Sequence, residues 1–201
     1  MKSGLYFTFS SLFSRPPTYD FIESVVKGRL FTLASVLERS QDQVNFIENQ
    51  KWLSEVERLQ LDFSRLFSVP SENAVIPYES YYLDRIPIGF GDWKDFSKTA
   101  AEVDMPGYIS GPCLSSIKAF YASEGYMLDE QNSELPDHIG CELEFLGLLY
   151  QKNKLEVVQN FTRKHIGRWL NTFIGCVREK AKTDFYKKGA ESLQYLMVNM
   201  T

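Results

Sequence analysis

The residue types best suited to chemistry lie close together between positions 134 and 142. This stretch contains Glu134, Asp137, His138, Cys141 and Glu142. His138 and Cys141 are three residues apart and would share one face of a helix, so they could supply two ligands to a metal ion. Asp137 beside His138 could instead form an acid/base pair, but no activated nucleophile accompanies them. The chain has only one other histidine, which argues against the metal site.

Asp137 has a third interpretation. A helix is predicted to begin around residue 136, and a carboxylate near its first turn would accept hydrogen bonds from free backbone N–H groups. It would also favour the positive end of the helix dipole. Capping is compatible with a functional role, so the sequence leaves the role of Asp137 open.

A second candidate site is the aromatic stretch PYESYYLD at residues 77 to 84. Tyr78, Tyr81 and Tyr82 lie beside Glu79 and Asp84. Together they combine apolar area, hydroxyl groups and negative charge, which would suit an apolar peptide that carries arginines. The same tyrosines could equally fold back over the core, and the composition of the loop does not decide between the two.

The elements that must position these stretches are predicted to be helical. Apolar residues recur at helical spacing in seven segments, and the eight prolines lie outside them or at a first turn, as Pro112 and Pro136 would. No useful length of period-two alternation occurs, except around residues 75–81. The pattern predicts an all-α, single-domain compact helical bundle over residues 1–201. The predicted helical segments are 5–13, 22–37, 52–67, 114–121, 139–150, 158–177 and 186–197.

Two long loops interrupt the helical pattern, at about residues 68–91 and 126–138. The first contains three prolines, and the second is acidic. Long loops are uncommon in a compact helical domain and often carry function. Both candidate sites overlap these loops.

Composition bounds the class of protein. The chain has 201 residues, of which 44% are hydrophobic and 24% charged, and its net charge is −4. These values fit a soluble globular protein and argue against a general nucleic-acid binder. Three cysteines do not form a disulfide framework or paired zinc knuckles, which favours a reducing cytoplasm. We expect no secretory signal and no membrane span, because no apolar stretch is long enough.

Charge is unevenly distributed along the chain, and enzyme motifs are missing. Residues 151–201 have a net charge of +6, whereas residues 1–150 have −10, a polarity that could attract a basic peptide. The sequence contains no GxxxxGK[ST], HExxH or GxSxG motif, and the GFG at 89–91 lacks the third glycine of a dinucleotide fingerprint. We therefore expect a protein that is not an enzyme.

Five blocks occur in a recognisable order between residues 61 and 170. They are LDFSRLFSVP at 61–70, PYESYYLD at 77–84, IKAFYASEGYML at 117–128, ELPDHIGCELEFLGLL at 134–149 and KHIGRW at 164–169. Together they resemble the TorD/DmsD/NarJ family of redox-enzyme maturation chaperones, and the E-x-PDH block is the most specific of them. The family often has a tryptophan near the position of Tyr78, whereas here Trp93 is the only tryptophan nearby.

The resemblance implies an all-helical cytoplasmic chaperone. Such proteins bind the twin-arginine signal peptide, and sometimes the body, of a molybdopterin-containing oxidoreductase until its cofactor is inserted, which delays export. The aromatic side chains would contact the apolar part of the peptide, and the carboxylates its two arginines. The peptide-binding residues carried over by motif are Tyr78, Glu79, Ser80, Tyr82, Asp84, Asp137, His138 and Glu142.

The resemblance also extends to ligands and assembly. Some family members bind a guanine nucleotide or molybdopterin guanine dinucleotide weakly. Some form domain-swapped dimers, so the resemblance implies a monomer that could form such a dimer. No metal or resident cofactor is expected. The client would be one of the DMSO, TMAO, nitrate, tetrathionate and polysulfide reductases, which all have such helpers.

Two other functions remain open at the level of the sequence. The protein could be an assembly subunit that binds the folded catalytic subunit of a respiratory reductase without reading its leader. It could also be a metal-dependent enzyme that uses Glu134, His138 and Cys141.

Overall fold

The computed structural model describes residues 2–27, 49–84, 86–88, 103–105, 111–129 and 134–199. Nine α-helices occur in this part of the chain. They are α1 (Lys2–Ser14), α2 (Tyr19–Lys27), α3 (Asn49–Phe63), α4 (Glu79–Leu83), α5 (Pro112–Ser123), α6 (Ile139–Gln151), α7 (Leu155–Lys164), α8 (Leu170–Lys180) and α9 (Asp184–Val198). A π-helical turn at Ser64–Ser68 extends α3, and a 3-10 turn at Ile166–Arg168 lies between α7 and α8. Two three-residue strands, β1 (Ile86–Ile88) and β2 (Val103–Met105), pair antiparallel.

The predicted all-α fold class is confirmed, and the local signals explain several helix ends. The Thr18 hydroxyl accepts a hydrogen bond from the Phe21 N–H, as expected of a residue that caps α2. Pro112 occupies the first turn of α5, where its missing N–H costs nothing. The second predicted helix is described only to Lys27, and its continuation to residue 37 lies outside the described residues.

The prediction of one helix over residues 158–177 is wrong. His165 has φ −121° and ψ −105°, which is not helical, and the chain makes a 3-10 turn before α8 begins. A Cβ at Gly167 would lie 2.6 Å from the carbonyl oxygen of Thr162. Glycine therefore permits a close approach of the backbone that a larger residue would prevent.

The loop predicted at 68–91 contains regular structure, and the next predicted helix start is displaced. Residues 79–83 form the short helix α4, and residues 86–88 form β1. The helix expected from about residue 136 begins at Ile139, so Pro136 precedes it in a turn. Residues 85, 89–91 and 130–133 of the two predicted loops, and Trp93, lie outside the described residues.

The chain divides into two compact units, of which the first comprises residues 1–77 and 139–201. Within this first unit α1 packs along α6, and a Cβ at Gly147 would meet the ring of Phe7 at 2.8 Å. Aromatic side chains form a cluster in the core of the unit, in which the buried Phe13, Phe63, Trp169, Phe173 and Tyr186 and the half-buried Phe67 meet. His165 is also buried in this core and is 2% exposed.

The second unit comprises residues 78–138 and contains α4, β1, β2 and α5. It has 11 acidic and 4 basic residues, which give a net charge of −7. In neither unit does a described helix have the length and apolar character required to cross a bilayer. The division reflects packing, and the single domain over residues 1–201 stays a prediction.

Candidate functional site

Within the second unit, the structure brings together residues 78–84 and 134–138 of the two stretches that the sequence singled out. Tyr78 and His138 form an isolated antiparallel bridge. The N–H of Glu79 donates to the carbonyl oxygen of Asp137 at 2.9 Å. Residues 58 and 60 positions apart are thus held side by side at the level of the backbone, and their side chains form one cluster.

Asp137 anchors this cluster from the inside. Its carboxylate is 0% exposed, and its Oδ2 accepts hydrogen bonds from the Ser80 N–H at 3.1 Å and the Ser80 hydroxyl at 2.6 Å. Its Oδ1 accepts none from the described residues. The first N–H group of α6, that of Ile139, donates to the Pro77 carbonyl oxygen. Asp137 therefore holds the turn that contains Ser80, and the capping role for the following helix is not what its carboxylate does.

Glu134, Tyr78 and His138 form the outer part of the cluster. The Tyr78 hydroxyl donates to Glu134 Oε2 at 2.6 Å, and His138 Nε2 lies 4.0 Å from the same oxygen. The rings of Tyr78 and His138 meet edge to face with centroids 5.1 Å apart. The Glu134 side chain is 32% exposed, whereas that of His138 is 4% exposed. Glu134 therefore presents a carboxylate that a ligand can reach.

Burial controls the charge of His138. Removal from water lowers the pKa of His138 below its ordinary 6.5, although the neighbouring carboxylates of Glu134 and Asp137 oppose that shift. At neutral pH the imidazole is uncharged. The cluster consequently keeps an excess of negative charge, which suits a cationic partner.

Asp84 has a structural task at the start of α5. Its Oδ2 accepts a hydrogen bond from the Cys113 N–H at 3.1 Å, which satisfies one of the free donors of that helix end. A Cβ at Gly111 would lie 2.1 Å from the same oxygen. Glycine at position 111 leaves room for the Asp84 carboxylate, which a larger residue would force to shift.

The eight predicted site residues differ in exposure. Tyr78, Tyr82 and Asp84 are half-buried, and the other five are buried: Glu79, Ser80, Asp137, His138 and Glu142. Glu142 lies on α6 and belongs to the first unit, whereas the other seven belong to the second. Glu134 was absent from the predicted set, although it begins the E-x-PDH block and was considered only as a metal ligand.

The described residues include no group of three or more His, Cys, Asp and Glu side chains arranged to hold a metal ion. Cys141 is buried, and Cys113 and Cys176 are half-buried. None of the three forms a disulfide. The arrangement at the site provides a hydrogen-bonding and acidic surface for a ligand.

Comparison with known proteins places these features in a family. A family model described as nitrate reductase delta subunit matches residues 26–175. The chaperone protein TorD of Vibrio vulnificus strain YJ016 is 23% identical over 211 residues, covering 96% of this chain and 89% of the relative. TorD of Vibrio parahaemolyticus is 24% identical over 220 residues with the same coverage.

A solved structure agrees with the fold. It is that of a candidate redox enzyme maturation protein from Archaeoglobus fulgidus, with a TM-score of 0.56 and 22% identity. The match covers 100% of this chain and 94% of the other. With a family model that matches well over half of its residues, the chain belongs to the TorD/DmsD/NarJ family of redox-enzyme maturation chaperones.

Proposed function

We propose that the protein is a cytoplasmic chaperone that binds the twin-arginine signal peptide of a molybdopterin-containing oxidoreductase, and that it assists cofactor insertion and delays export of this client. The observation that carries the proposal is family membership, together with the match to TorD over 96% of the chain. The second unit supports it, because its net charge of −7 would attract a peptide with two arginines.

The carboxylates proposed to meet the arginines are those that a peptide can reach. The Glu134 side chain is 32% exposed and Asp84 is half-buried, whereas Glu79 and Asp137 are enclosed. A guanidinium can donate two parallel hydrogen bonds to one carboxylate, which an ammonium group cannot. Glu134 is therefore the main contact, and Asp137 is a positioning residue that holds Ser80.

Tyr78 has two roles in this proposal. Its hydroxyl orients Glu134 through the 2.6 Å hydrogen bond, and its half-buried ring offers apolar area to the peptide. Tyr82 is half-buried on α4 and adds a second aromatic surface.

Calorimetric titration with a synthetic twin-arginine leader, taken from a molybdoenzyme encoded beside this protein, tests the proposal. The same leader with both arginines changed to lysine should bind about tenfold or more weakly, because two bidentate hydrogen-bonded pairs are lost. Equal binding of the two leaders would contradict arginine recognition, and binding of neither would contradict the proposed function.

Protein variants locate the contact. Glu134→Gln and Tyr78→Ala should each weaken binding of the arginine leader, with a smaller effect on the lysine leader. Glu144→Gln and Tyr195→Ala are matched controls, since both residues are exposed and lie in the first unit. If the controls weaken binding as much as the site variants, the site assignment is wrong.

The description of the family model favours a second candidate function. A delta subunit of nitrate reductase would act as an assembly subunit that binds the folded catalytic subunit without reading a leader. Copurification separates the two candidates: an assembly subunit should retain the client after the client's leader is deleted, whereas a leader-reading chaperone should retain much less of it.

A further inference from the structure

A small apolar groove opens in the second unit beside Pro136. Its volume is about 250 Å³. This is below the range of roughly 300–1,000 Å³ that is usual for small-molecule and cofactor sites, and it suits one or two side chains of a peptide. The residues that line the groove are Lys118, Tyr121, Ala122, Tyr126, Met127, Leu128 and Pro136.

The end of α5 fixes one wall of this groove. Gly125 has φ +79°, and the N–H of Tyr126 donates to the Tyr121 carbonyl oxygen at 3.0 Å. The Gly125 N–H donates to the Ala122 carbonyl oxygen at 3.0 Å, which completes a Schellman motif. The chain therefore folds back sharply, and this turn places Tyr126 and the two residues after it beside the last turn of α5.

The opposite wall belongs to the E-x-PDH block. The Tyr121 hydroxyl donates to the Pro136 carbonyl oxygen at 2.9 Å, and Tyr121 is 5% exposed. Pro136 follows Glu134 by two residues and precedes Asp137, so the groove and the acidic cluster share one turn of the chain. Hydrogen bonds hold both walls before any ligand arrives, which reduces the entropic cost of binding.

Met127 marks the rim of the groove. It is 92% exposed, an unusual state for a large apolar side chain. A methionine adapts its shape to irregular apolar partners, and an exposed apolar rim is typical of a binding site. Lys118 is the charged residue that lines the groove, whereas Asp129 and Glu134, close in sequence to Leu128 and Pro136, are acidic. The unit as a whole has a net charge of −7, which favours a cationic partner.

We infer that this groove binds an apolar side chain of the signal peptide close to the arginines that Glu134 binds. The inference rests on the proposed function and deepens it: the acidic cluster reads the cationic part of the peptide, and the groove reads the apolar part. The groove would thus contact the apolar part of the peptide together with the aromatic residues at 78–84.

Anisotropy of a fluorescently labelled leader tests the inference with two variants. Ala122→Trp fills the groove from an exposed position and should weaken binding about tenfold or more, since burial of one apolar side chain is lost. Met127→Ser removes apolar area without adding charge and should weaken binding about threefold. Leu61→Ser is the matched control, because Leu61 is 72% exposed and lies in the first unit, and it should leave the affinity unchanged.

A change in the leader identifies which side chain is bound. Replacing the apolar residue next to the arginines by serine should weaken binding to the unmodified protein and have little further effect on Ala122→Trp, as expected when both changes remove one contact. Unchanged affinity in both protein variants would overturn the inference and leave the proposed function standing. An equal loss in Leu61→Ser would also overturn it.

Two further outcomes are informative. If neither the unmodified protein nor the variants bind the leader, the proposed function fails and the inference fails with it. If Ala122→Trp dissociates a dimer in sedimentation and leaves leader binding unchanged, the groove binds a second copy of the chain and the inference is wrong.

Discussion

Two enclosed aspartates, one in each unit, differ in how completely they are paired. Asp62 is 4% exposed and accepts hydrogen bonds on both oxygens, from the Arg65 guanidinium, the N–H groups of Lys182 and Thr183, and the Thr183 hydroxyl. Asp137 is 0% exposed and is bonded through Oδ2 alone among the described residues, with Ser80 as donor.

The two carboxylates differ in how far hydrogen bonds offset the cost of burial. Burial alone would raise the pKa of Asp62, but hydrogen bonds from Arg65 and Thr183 outweigh it, so the pKa lies below the ordinary 3.8. Asp62 thus ties α3 to the turn that leads into α9. Asp137 has no hydrogen-bond donor at Oδ1 among the described residues, so hydrogen bonds offset less of the cost of its burial.

The largest expected effect is the loss of stability in Asp62→Asn. The variant leaves the Arg65 guanidinium without its charged partner and should lower the free energy of unfolding by about 3 kcal/mol or more. At this chain length that corresponds to a fall in Tm of roughly 6–12 °C, measured by circular dichroism. Glu55→Gln, which breaks an exposed pair with Arg58, is the control and should cost at most about 1 kcal/mol. Equal losses in the two variants would contradict a structural role for Asp62.

Asp137→Asn should have a smaller effect on stability and a clear effect on binding. Its amide oxygen can keep the hydrogen bonds from Ser80, but the buried NH₂ group lacks an acceptor among the described residues, at a cost of about 1–2 kcal/mol. If the buried NH₂ group moves to find an acceptor, the segment that contains Ser80 shifts with it, so leader binding should weaken several-fold in calorimetry. Ser80→Ala should show a similar loss, and the double variant should lose less than the sum. A loss of stability as large as that of Asp62→Asn would break the comparison.

The contributions of His138 and Asp62 to stability should depend on pH in different ranges. The lowered pKa of His138 means that the unfolded chain binds its proton first, so this contribution to stability is complete above about pH 6.5 and is lost as the pH falls toward the folded pKa. A single proton sets an upper slope of about 1.4 kcal/mol per pH unit. Asp62 stabilises the fold in its charged form, whereas His138 does so in its neutral form. The contribution of Asp62 to stability is lost only as the pH falls below about 3.8.

Urea unfolding at several pH values measures this difference. Between pH 7.5 and 5.5 the unmodified protein should lose stability, and His138→Gln should lose less over the same range. Asp62→Asn should keep the slope of the unmodified protein in this range, because the titration of Asp62 lies lower. Identical slopes in the unmodified protein and His138→Gln would show that His138 does not control the response.

The helices were predictable where one apolar face repeats over several turns, as in α1, α6 and α9. The break at His165 was not visible, because the apolar residues before and after it, including Phe161 and Trp169, are buried in the same core and stay in phase. The short helix α4 offers too few residues for a period, and its turn is held by Asp137, 57 residues after Ser80. A local sequence pattern cannot predict a contact between residues 57 positions apart.

The candidate site shows the same limit. Motifs selected two stretches that lie side by side in the structure, since Tyr78, Ser80, Asp137 and His138 form one cluster. They did not indicate which carboxylates face solvent, because burial depends on packing between distant segments. Glu134, which the sequence offered only as a metal ligand, is the partly exposed carboxylate of the cluster.

The smallest expected effect concerns Asp84, which repeats the task of Asp62 at a half-buried position. Gly111→Ala would place a Cβ 2.1 Å from Asp84 Oδ2, so the carboxylate must withdraw from the Cys113 N–H. We expect a loss of about 1 kcal/mol in the free energy of unfolding, the usual value of one helix cap. Gly175→Ala is the matched control, since nothing lies within 4 Å of its added Cβ and alanine favours the interior of α8 by about 0.5–1 kcal/mol. If both alanine variants stabilise the protein, the hydrogen bond from the Cys113 N–H to Asp84 does not depend on glycine at position 111. A carboxylate at a helix end would then contribute to stability only where a cation also pairs with it, as Arg65 does with Asp62.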